Sequence, residues 1–306
     1  MPVLKLYPNG LTGGMPPANR VDRQPVSRGE CKGWTLKSSR GNTLFLYSVV
    51  ADELPVTRDG KPLVGLAASF TVRKLPASHE DWKALRDNLI KRLWRKGLCR
   101  IHWLTEWQQR GVPHLHFAAW FDLEAVQALA VKWGYPKKVA DQILACLIKS
   151  DWLILSNSYH SSGLGQDIKP ITDEVGWLQY LSKHAARGAG HYQRSLQTIP
   201  KEWVTSGRMW GYQGDFPTCE PEKIDTLNKQ MWFEFRRIVR SWRIAQARAE
   251  KKLDVRRRRI RSARRMLLSS NPELGQVRGV SEWIPKELGE QILEFVLGPC
   301  LSVPAD

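Results

Sequence analysis

The chain has 306 residues, and its 47 Lys and Arg against 30 Asp and Glu give a net charge of +17. A hydrophobic content of 42% with 14 Trp is typical of a globular protein and excludes a disordered one. The excess of positive charge predicts a polyanionic partner, with nucleic acid first and an anionic membrane surface second. Because no apolar run reaches the roughly 18–20 residues of a spanning helix and the first residues lack a signal-peptide core, we expect a soluble, cytoplasmic protein outside the membrane.

The cysteines predict neither a disulfide framework nor a zinc site. All five, at positions 31, 99, 146, 219 and 300, are widely separated, and none belongs to a CxxC pair. Disulfide-rich domains and Cys-type zinc sites need closely spaced cysteines.

The first part of the chain predicts an arm, then a strand and a helix. Residues 1–33 are rich in Gly, Pro and Arg and are predicted to form a flexible N-terminal arm. The segment 38–50 fits a helix and a strand equally well, whereas 64–73 is typical of a buried strand. A helix follows, because Ser78 and Asp81 have the spacing of a capping box.

Two strands, over 99–107 and 112–121, are predicted to form a hairpin around a turn at 108–111. The second strand contains His114 and His116, whose side chains share one face because alternate residues of a strand point the same way. The hairpin register puts Glu106 opposite His114 and on that same face. His102 has the same parity but lies farther along the strand.

Two imidazoles and a carboxylate predict a metal site with open coordination positions. Such a mixed set suits Mg²⁺ or Mn²⁺, whereas structural zinc takes four protein ligands. Beside a polyanion, the ion would act as a Lewis acid on a phosphoryl oxygen. The alternative is that a His-x-His pair on a strand is simply two surface histidines.

The rest of the chain adds helices, a strand and a basic tail. The predicted elements are helices over 122–133, 136–149 and 172–187, a strand over 152–159 and an extended piece over 167–171. From 236 to 265 the chain has 14 Lys and Arg against two acids. Apolar residues recur there at helical spacing, which predicts one long, basic amphipathic helix.

A second reactive pair lies on the helix predicted over 172–187. Tyr180 and Lys183 are three residues apart and are therefore neighbours on one helix face. A tyrosine hydroxyl is a poor nucleophile near neutral pH, and an adjacent ammonium or a metal-bound phosphate would help it attack. A Tyr and a Lys at this spacing are also common on helices that have no catalytic role.

Taken together, these motifs resemble the HUH endonuclease superfamily. The similar pieces are RGECKGWT near the N-terminus, Glu106 with Arg110-Gly111 before His114-Leu115-His116, Tyr180 with Lys183, and KHAARGAGHYQR after them. More narrowly, the chain is similar to the rolling-circle replication initiation proteins of filamentous bacteriophages, the gene II-like and Pf-type proteins. The similar pieces span roughly 27–215.

The resemblance implies a mechanism. Tyr180 would attack a DNA phosphate, leaving a 5′-phosphotyrosine and a 3′-OH that primes synthesis, and the strand would later be rejoined. His114, His116 and Glu106 would hold the divalent ion, and Lys183 would position the phosphate. Some initiators use a tyrosine pair, and Tyr192 is then the reserve candidate.

We therefore expect an α+β fold, with a central antiparallel sheet that has helices on one side, HUH/ferredoxin-like or RRM-like, and a basic helical region. The expected division is an arm (1–33), a nuclease domain (34–215), a basic helical DNA-binding region (216–270) and a C-terminal tail (271–306). The predicted partners are single-stranded or nicked origin DNA and a host helicase and polymerase. The basic residues expected to bind DNA are Arg236, Arg237, Arg240, Arg243, Arg256, Arg257, Arg258, Arg259 and Arg261.

Other functions fit the same residues. A plasmid relaxase or an HUH transposase would use the same chemistry in another setting. A non-catalytic basic DNA-binding protein would keep the charge without the reaction, and a zinc-dependent hydrolase would act without a protein–DNA link. An interfacial membrane helix would also explain a basic amphipathic tail.

Overall fold

The computed structural model describes residues 1–15, 33–186, 199–203, 205–266 and 279–298, with the side chains of residues 36 and 183–186 left aside. The strands are β1 (Val3–Tyr7), β2 (Gly10–Gly14), β3 (Leu63–Thr71), β4 (Leu98–Trp107), β5 (Pro113–Asp122), β6 (Asp167–Pro170), β7 (Trp210–Gly214), β8 (Glu222–Ile224) and β9 (Val280–Glu282). The helices are α1 (Leu36–Ser48), α2 (His79–Trp94), α3 (Leu123–Lys132), α4 (Ala140–Leu155), α5 (Glu174–Ala186), α6 (Lys229–Arg248), α7 (Leu253–Arg265) and α8 (Lys286–Leu297). Within those ranges, no helix is both long and apolar enough to cross a membrane.

The chain divides into two compact units, which we call the central unit (26–218) and the terminal unit (1–25 with 219–306). The central unit contains a five-stranded antiparallel sheet in the order β6-β3-β5-β4-β7. The terminal unit contains a four-stranded antiparallel sheet in the order β8-β1-β2-β9. Both sheets are accompanied by helices, so the predicted α+β class is confirmed.

The hairpin of β4 and β5 forms the centre of the larger sheet in the predicted register. Glu106 pairs directly with His114. The turn closes with hydrogen bonds from the N–H of Gly111 to the carbonyl of Gln108 and from the N–H of Gln108 to the carbonyl of Val112, both 2.9 Å long. Gly111 has a φ of +77°, a left-handed conformation that favours glycine. Local turn chemistry therefore fixes which side chains share a face.

Helices cover both faces of the central sheet, not one as the sequence suggested. On one face, the indole N–H of Trp82 in α2 donates to the hydroxyl of Thr105 over 3.0 Å. On the other face, Phe45 in α1 stacks on His102, with ring centroids 5.6 Å apart. Thr105 and His102 are three residues apart on β4 and so point to opposite faces.

The strand predicted over 152–159 is wrong, because α4 continues through Leu155. Leu144, Ile148 and Trp152 lie four residues apart and are all fully buried, so helical spacing extends past the expected end. Asp151, on the same helix, forms ion pairs with Lys96 and with Arg92, the latter 2.8 Å long. The helix start predicted for α2 is confirmed, since Ser78 and Asp81 form both bonds of a capping box.

Residues 3–14 form a hairpin, so the flexible arm predicted over 1–33 is wrong for this part. Leu4 and Leu6 alternate along β1 and are buried, and Leu11 of β2 is buried beside them. They pack in one core with Trp232 and Phe235 of α6. This core supplies the apolar burial that a two-stranded hairpin lacks by itself.

The basic tail is two helices, where the sequence predicted one. The helix α6 ends at Arg248 and α7 begins at Leu253. Asn228 caps α6 by accepting the N–H of Met231 over 2.9 Å. The regions expected as a basic helical region and a tail also contain β8, β9 and α8, which join the terminal unit.

Candidate active site

The two histidines of β5 lie side by side on one face of the central sheet. Their ring centroids are 4.3 Å apart. The Nδ1 of His116 is 2.8 Å from the hydroxyl of Ser69, its register partner on β3. The side-chain amide of Gln108 donates to the Nδ1 of His114 over 2.8 Å. Each imidazole is thus oriented through its Nδ1 by a neighbouring side chain.

Glu106 lies against the same pair from the adjacent strand. Its carboxylate Oε2 is 3.8 Å from the Nε2 of His116, and only 1% of the residue is exposed. A buried carboxylate is costly unless it has a partner of opposite charge or hydrogen-bond donors. The three residues predicted to form a metal site therefore lie together in the fold.

The donor chemistry of these residues fits a divalent cation, but the side chains are not arranged as a finished site. Among the described ranges, no group of three His, Cys, Asp or Glu side chains converges closely enough to hold an ion as it stands. Because an amide N–H donates to the Nδ1 of His114, the proton of the neutral ring is on Nε2. Ligation through Nε2 would need the Gln108 amide to rotate so that its oxygen accepts from Nδ1–H, the arrangement usual for metal-bound imidazoles.

Arg110 holds the Gln108 amide in its present orientation. Its Nε–H donates to Oε1 of Gln108 over 2.8 Å. The same guanidinium donates through Nη2 to the carbonyl of Val72 over 2.6 Å and to the hydroxyl of Thr71 over 3.3 Å. A chain of contacts therefore links Arg110 to His114 through Gln108.

Tyr180 approaches the histidines from α5. Its ring centroid is 6.0 Å from that of His116, and the two planes are 75° apart. Leu178 and Leu181 bury the other side of the helix, which fixes its rotation, and 37% of Tyr180 stays exposed. Trp177 packs edge-on against the Tyr180 ring at 5.1 Å. The phenol is accessible to a large substrate and adjacent to the imidazoles.

The other candidates on this part of the chain are only partly described. Lys183 belongs to α5, three residues after Tyr180, but its side chain lies outside the description. The reserve nucleophile, Tyr192, lies outside the described residues. Their predicted roles stay predictions.

His102 shares the face of His114 and His116 but has a different environment. It is fully buried, and its Nε2 donates to the side-chain oxygen of Asn42 over 2.7 Å. Burial lowers the pKa of His102 from 6.5 to about 3, so its ring is neutral at physiological pH. Its packing against Phe45 and Asn42 gives it a structural role.

The arginines predicted to bind DNA differ in exposure. Arg236 is 5% exposed, which is not the exposure expected of a DNA contact. Arg243 pairs with Glu282 over 2.8 Å, and Arg259 pairs with Glu250 over 3.1 Å. Arg240, Arg243 and Arg256 are half-buried, and the exposed ones are Arg237, Arg257, Arg258, Arg259 and Arg261. The basic surface is therefore concentrated on α7.

The sequence reasoning missed the side chains that orient the histidines. Ser69 and Thr71 are polar residues at alternate positions of β3, which is otherwise apolar. For Ser69, this polarity could have been recognised from the sequence as a sign of a role at the site. For Gln108 no signal existed, because turn residues are polar for many reasons.

Comparison with known proteins gives the family. The chain is 40% identical to the replication-associated protein of Pseudomonas phage Pf3 over 304 residues, which is 97% of both chains. This chain belongs to the family of that Pf3 replication-associated protein. Two proteins of Xylella fastidiosa, named only provisionally as replication proteins, also match. The one from strain 9a5c is 38% identical over 94% of both chains, and the one from strain Temecula1 is 39% identical over 92% of this chain and 99% of its own.

This membership agrees with the resemblance to phage replication proteins that the sequence motifs indicated. No family model and no solved structure gives a significant match. The aligned parts of all three relatives cover almost the whole chain.

Proposed function

We propose that this protein initiates rolling-circle DNA replication by nicking one strand at an origin and later rejoining it. The observation that carries the proposal is the position of Tyr180, whose ring lies 6.0 Å from that of His116 although 64 residues separate them in the chain. An exposed phenol beside two imidazoles and a carboxylate is the constellation that a covalent nicking reaction needs. The names of the relatives support replication as the setting.

In the proposed reaction, Tyr180 Oη attacks the phosphorus of a DNA phosphodiester. A tyrosine–phosphorus bond forms as the bond from phosphorus to O3′ breaks. The leaving O3′ takes up a proton and becomes the 3′-OH that primes synthesis. Because Tyr180 is 37% exposed, water can accept the proton of its hydroxyl. Rejoining is the reverse step, in which a 3′-OH attacks the 5′-phosphotyrosine and releases the tyrosine.

The surrounding residues have distinct parts in this proposal. His114, His116 and Glu106 would hold Mg²⁺ or Mn²⁺, which would supply Lewis-acid stabilisation of charge on the phosphoryl oxygens. Ser69 orients the His116 ring, and Lys183 would position the phosphate. The same chemistry would serve a plasmid relaxase or an HUH transposase.

The basic surface would bind the DNA substrate. The exposed arginines of α7 would neutralise backbone phosphates without reading sequence, and this attraction falls steeply with salt. A host helicase and polymerase would act on the 3′-OH and the opened strand after nicking. We place the proposed reaction in the cytoplasm of a bacterial host.

A covalent-adduct assay tests the proposal. The full-length protein is incubated with single-stranded origin DNA and Mg²⁺ or Mn²⁺, and the products are separated on a denaturing gel. We expect a protein–DNA adduct from the wild-type protein and none from Tyr180→Phe. Tyr135→Phe is the matched control, because Tyr135 is also exposed but lies between α3 and α4, outside the site. An adduct that persists in Tyr180→Phe would show that another residue is the nucleophile.

The main rival is a DNA-binding protein without catalysis. The exposed arginines of α7 are the observation that favours it, because they could bind DNA without any catalytic site. It predicts salt-dependent DNA binding with no adduct in any divalent metal. A zinc-dependent hydrolase instead predicts cleavage with retained Zn²⁺ and no covalent link.

A further inference from the structure

A small cavity opens beside the proposed active site, between the end of β3 and the loop that precedes β6. Its volume is about 270 Å³. Arg73 and Arg110 contribute the charge, and Thr71, Ser162, Leu164 and Gln166 complete most of the lining. We call it the arginine pocket.

Hydrogen bonds of buried side chains fix the shape of the pocket. Gln166, only 6% exposed, accepts the backbone N–H of Thr71 over 2.8 Å and donates to the carbonyls of Thr71 and Ser162 over 3.1 and 2.9 Å. The hydroxyl of Ser161 also donates to the carbonyl of Thr71 over 3.1 Å. The loop is thus tied to the end of β3, and its shape is held before any ligand arrives.

The charge of the pocket is uncompensated in the part of the chain that the structure describes. Arg73 donates to the hydroxyl of Ser162 over 3.2 Å, and Arg110 donates only to neutral oxygens. Neither guanidinium forms an ion pair with a carboxylate of the described residues, since their hydrogen bonds all go to neutral oxygens. Two adjacent guanidiniums without an acidic partner favour an anion, and the planar fork of arginine matches phosphate geometry.

The pocket adjoins the histidines directly. Thr71, which accepts from Arg110, is the register partner of His114 in the sheet. Side chains directly opposite in such a pair have Cβ atoms about 5 Å apart. Leu164, fully exposed at the tip of the loop, offers an apolar contact at the pocket edge. Because Thr71 lines the pocket and pairs directly with His114, an anion bound in the pocket would lie next to a phosphate bound at the histidines.

We propose that the arginine pocket binds the phosphodiester next to the scissile one in single-stranded DNA, with Arg73 and Arg110 gripping its oxygens and Leu164 against the adjoining nucleotide. This inference rests on the proposed function, because the scissile phosphate defines the neighbouring linkage. The pocket would fix the position of the strand relative to Tyr180, and so it would determine which linkage is cut.

A linkage-by-linkage binding experiment tests this assignment. The full-length Tyr180→Phe protein leaves the DNA intact, and its affinity is measured by fluorescence anisotropy on a labelled single-stranded oligonucleotide. One linkage at a time is replaced by a neutral methylphosphonate. The same series is repeated with Arg73→Ala added and, as a matched control for charge, with Arg95→Ala added. Arg95 is exposed at the end of α2, a helix that packs through Trp82 on the face of the sheet opposite the histidines.

We expect one or two linkages whose neutralisation weakens binding about tenfold, the effect typical of a lost charge-assisted hydrogen bond. Adding Arg73→Ala should weaken binding to natural DNA by a similar factor and remove the sensitivity at that linkage, whereas Arg95→Ala should preserve it. If Arg73→Ala and each methylphosphonate weaken binding by independent factors at every linkage, the assignment is overturned. The pocket would then hold another anion.

The two proposals fail in different ways. The adduct formed by the wild-type protein locates the nick, and the sensitive linkage should be its neighbour. If no adduct forms, the proposed function fails while the coupling between Arg73 and one linkage is still measured. If the adduct forms and the coupled linkage lies far from the nick, only the arginine pocket assignment fails.

Discussion

The buried His102 predicts a specific loss of stability in mild acid. Burial beside Asn42 and Phe45 lowers its pKa to about 3, whereas a histidine in the unfolded chain titrates near 6.5. Between these values the unfolded state binds a proton that the folded state does not. The contribution of His102 to stability is therefore complete above pH 6.5 and is lost as the pH falls toward 3.

The size of this effect follows from the two pKa values. Each pH unit in that window changes the free energy of unfolding by up to about 1.4 kcal/mol, and the step from pH 7 to pH 5 costs about 2 kcal/mol. His102→Gln keeps a donor for Asn42 but does not titrate. Urea denaturation followed by circular dichroism at pH 7, 6 and 5 should show a smaller acid loss for this variant than for the wild-type protein.

A matched histidine controls the experiment. His160 is exposed and has a φ of +55°, which asparagine tolerates well. His160→Asn should therefore keep the acid dependence of the wild-type protein. Equal pH dependence in His102→Gln and the wild-type protein would refute the argument that burial holds His102 neutral.

Three further predictions concern the site, the sheet and the basic surface. Ser69→Ala removes the hydroxyl that orients the His116 imidazole, so the affinity for Mn²⁺, measured by calorimetry, should fall about tenfold. Unchanged affinity would contradict the role of Ser69. Gly214→Ala should cost more unfolding free energy in urea than Gly60→Ala. Both have a positive φ, which costs about 1–3 kcal/mol for a residue with a Cβ, but the added Cβ meets the backbone of β4 only at Gly214. Arg257→Gln and Arg258→Gln should each lower the slope of log affinity against log salt by about 0.7 on single-stranded DNA if the residue contacts a phosphate, and titrations at four salt concentrations measure it.

Local sequence determined the parts of the site that lie on one hairpin. The alternation of His114 and His116, together with the length of the turn, placed Glu106 opposite His114 as predicted. The two bonds of the Ser78 capping box were likewise readable, because both partners lie within four residues. Such features depend on backbone periodicity and turn geometry, which a short segment specifies by itself.

Contacts between segments that are distant in the chain could not be predicted from local sequence. The hairpin over residues 3–14 has alternating leucines and a two-residue turn at Pro8 and Asn9. Only a core with Trp232 and Phe235 makes it stable, however, and these residues lie more than 200 positions away. Helical and strand patterns also compete in short apolar runs, and the burial of Trp152 decided in favour of the helix.

The sequence by itself determined the hairpin, the positive charge and the pair of Tyr180 and Lys183 on one helix. Tertiary structure alone decided that Tyr180 lies beside His116, because the packing of Leu178 and Leu181 sets the rotation of α5 against the rest of the central unit. It also decided that Arg73 and Arg110 share a pocket. Spacing along the chain does not predict such contacts, because they depend on how separate elements bury their apolar faces against one another.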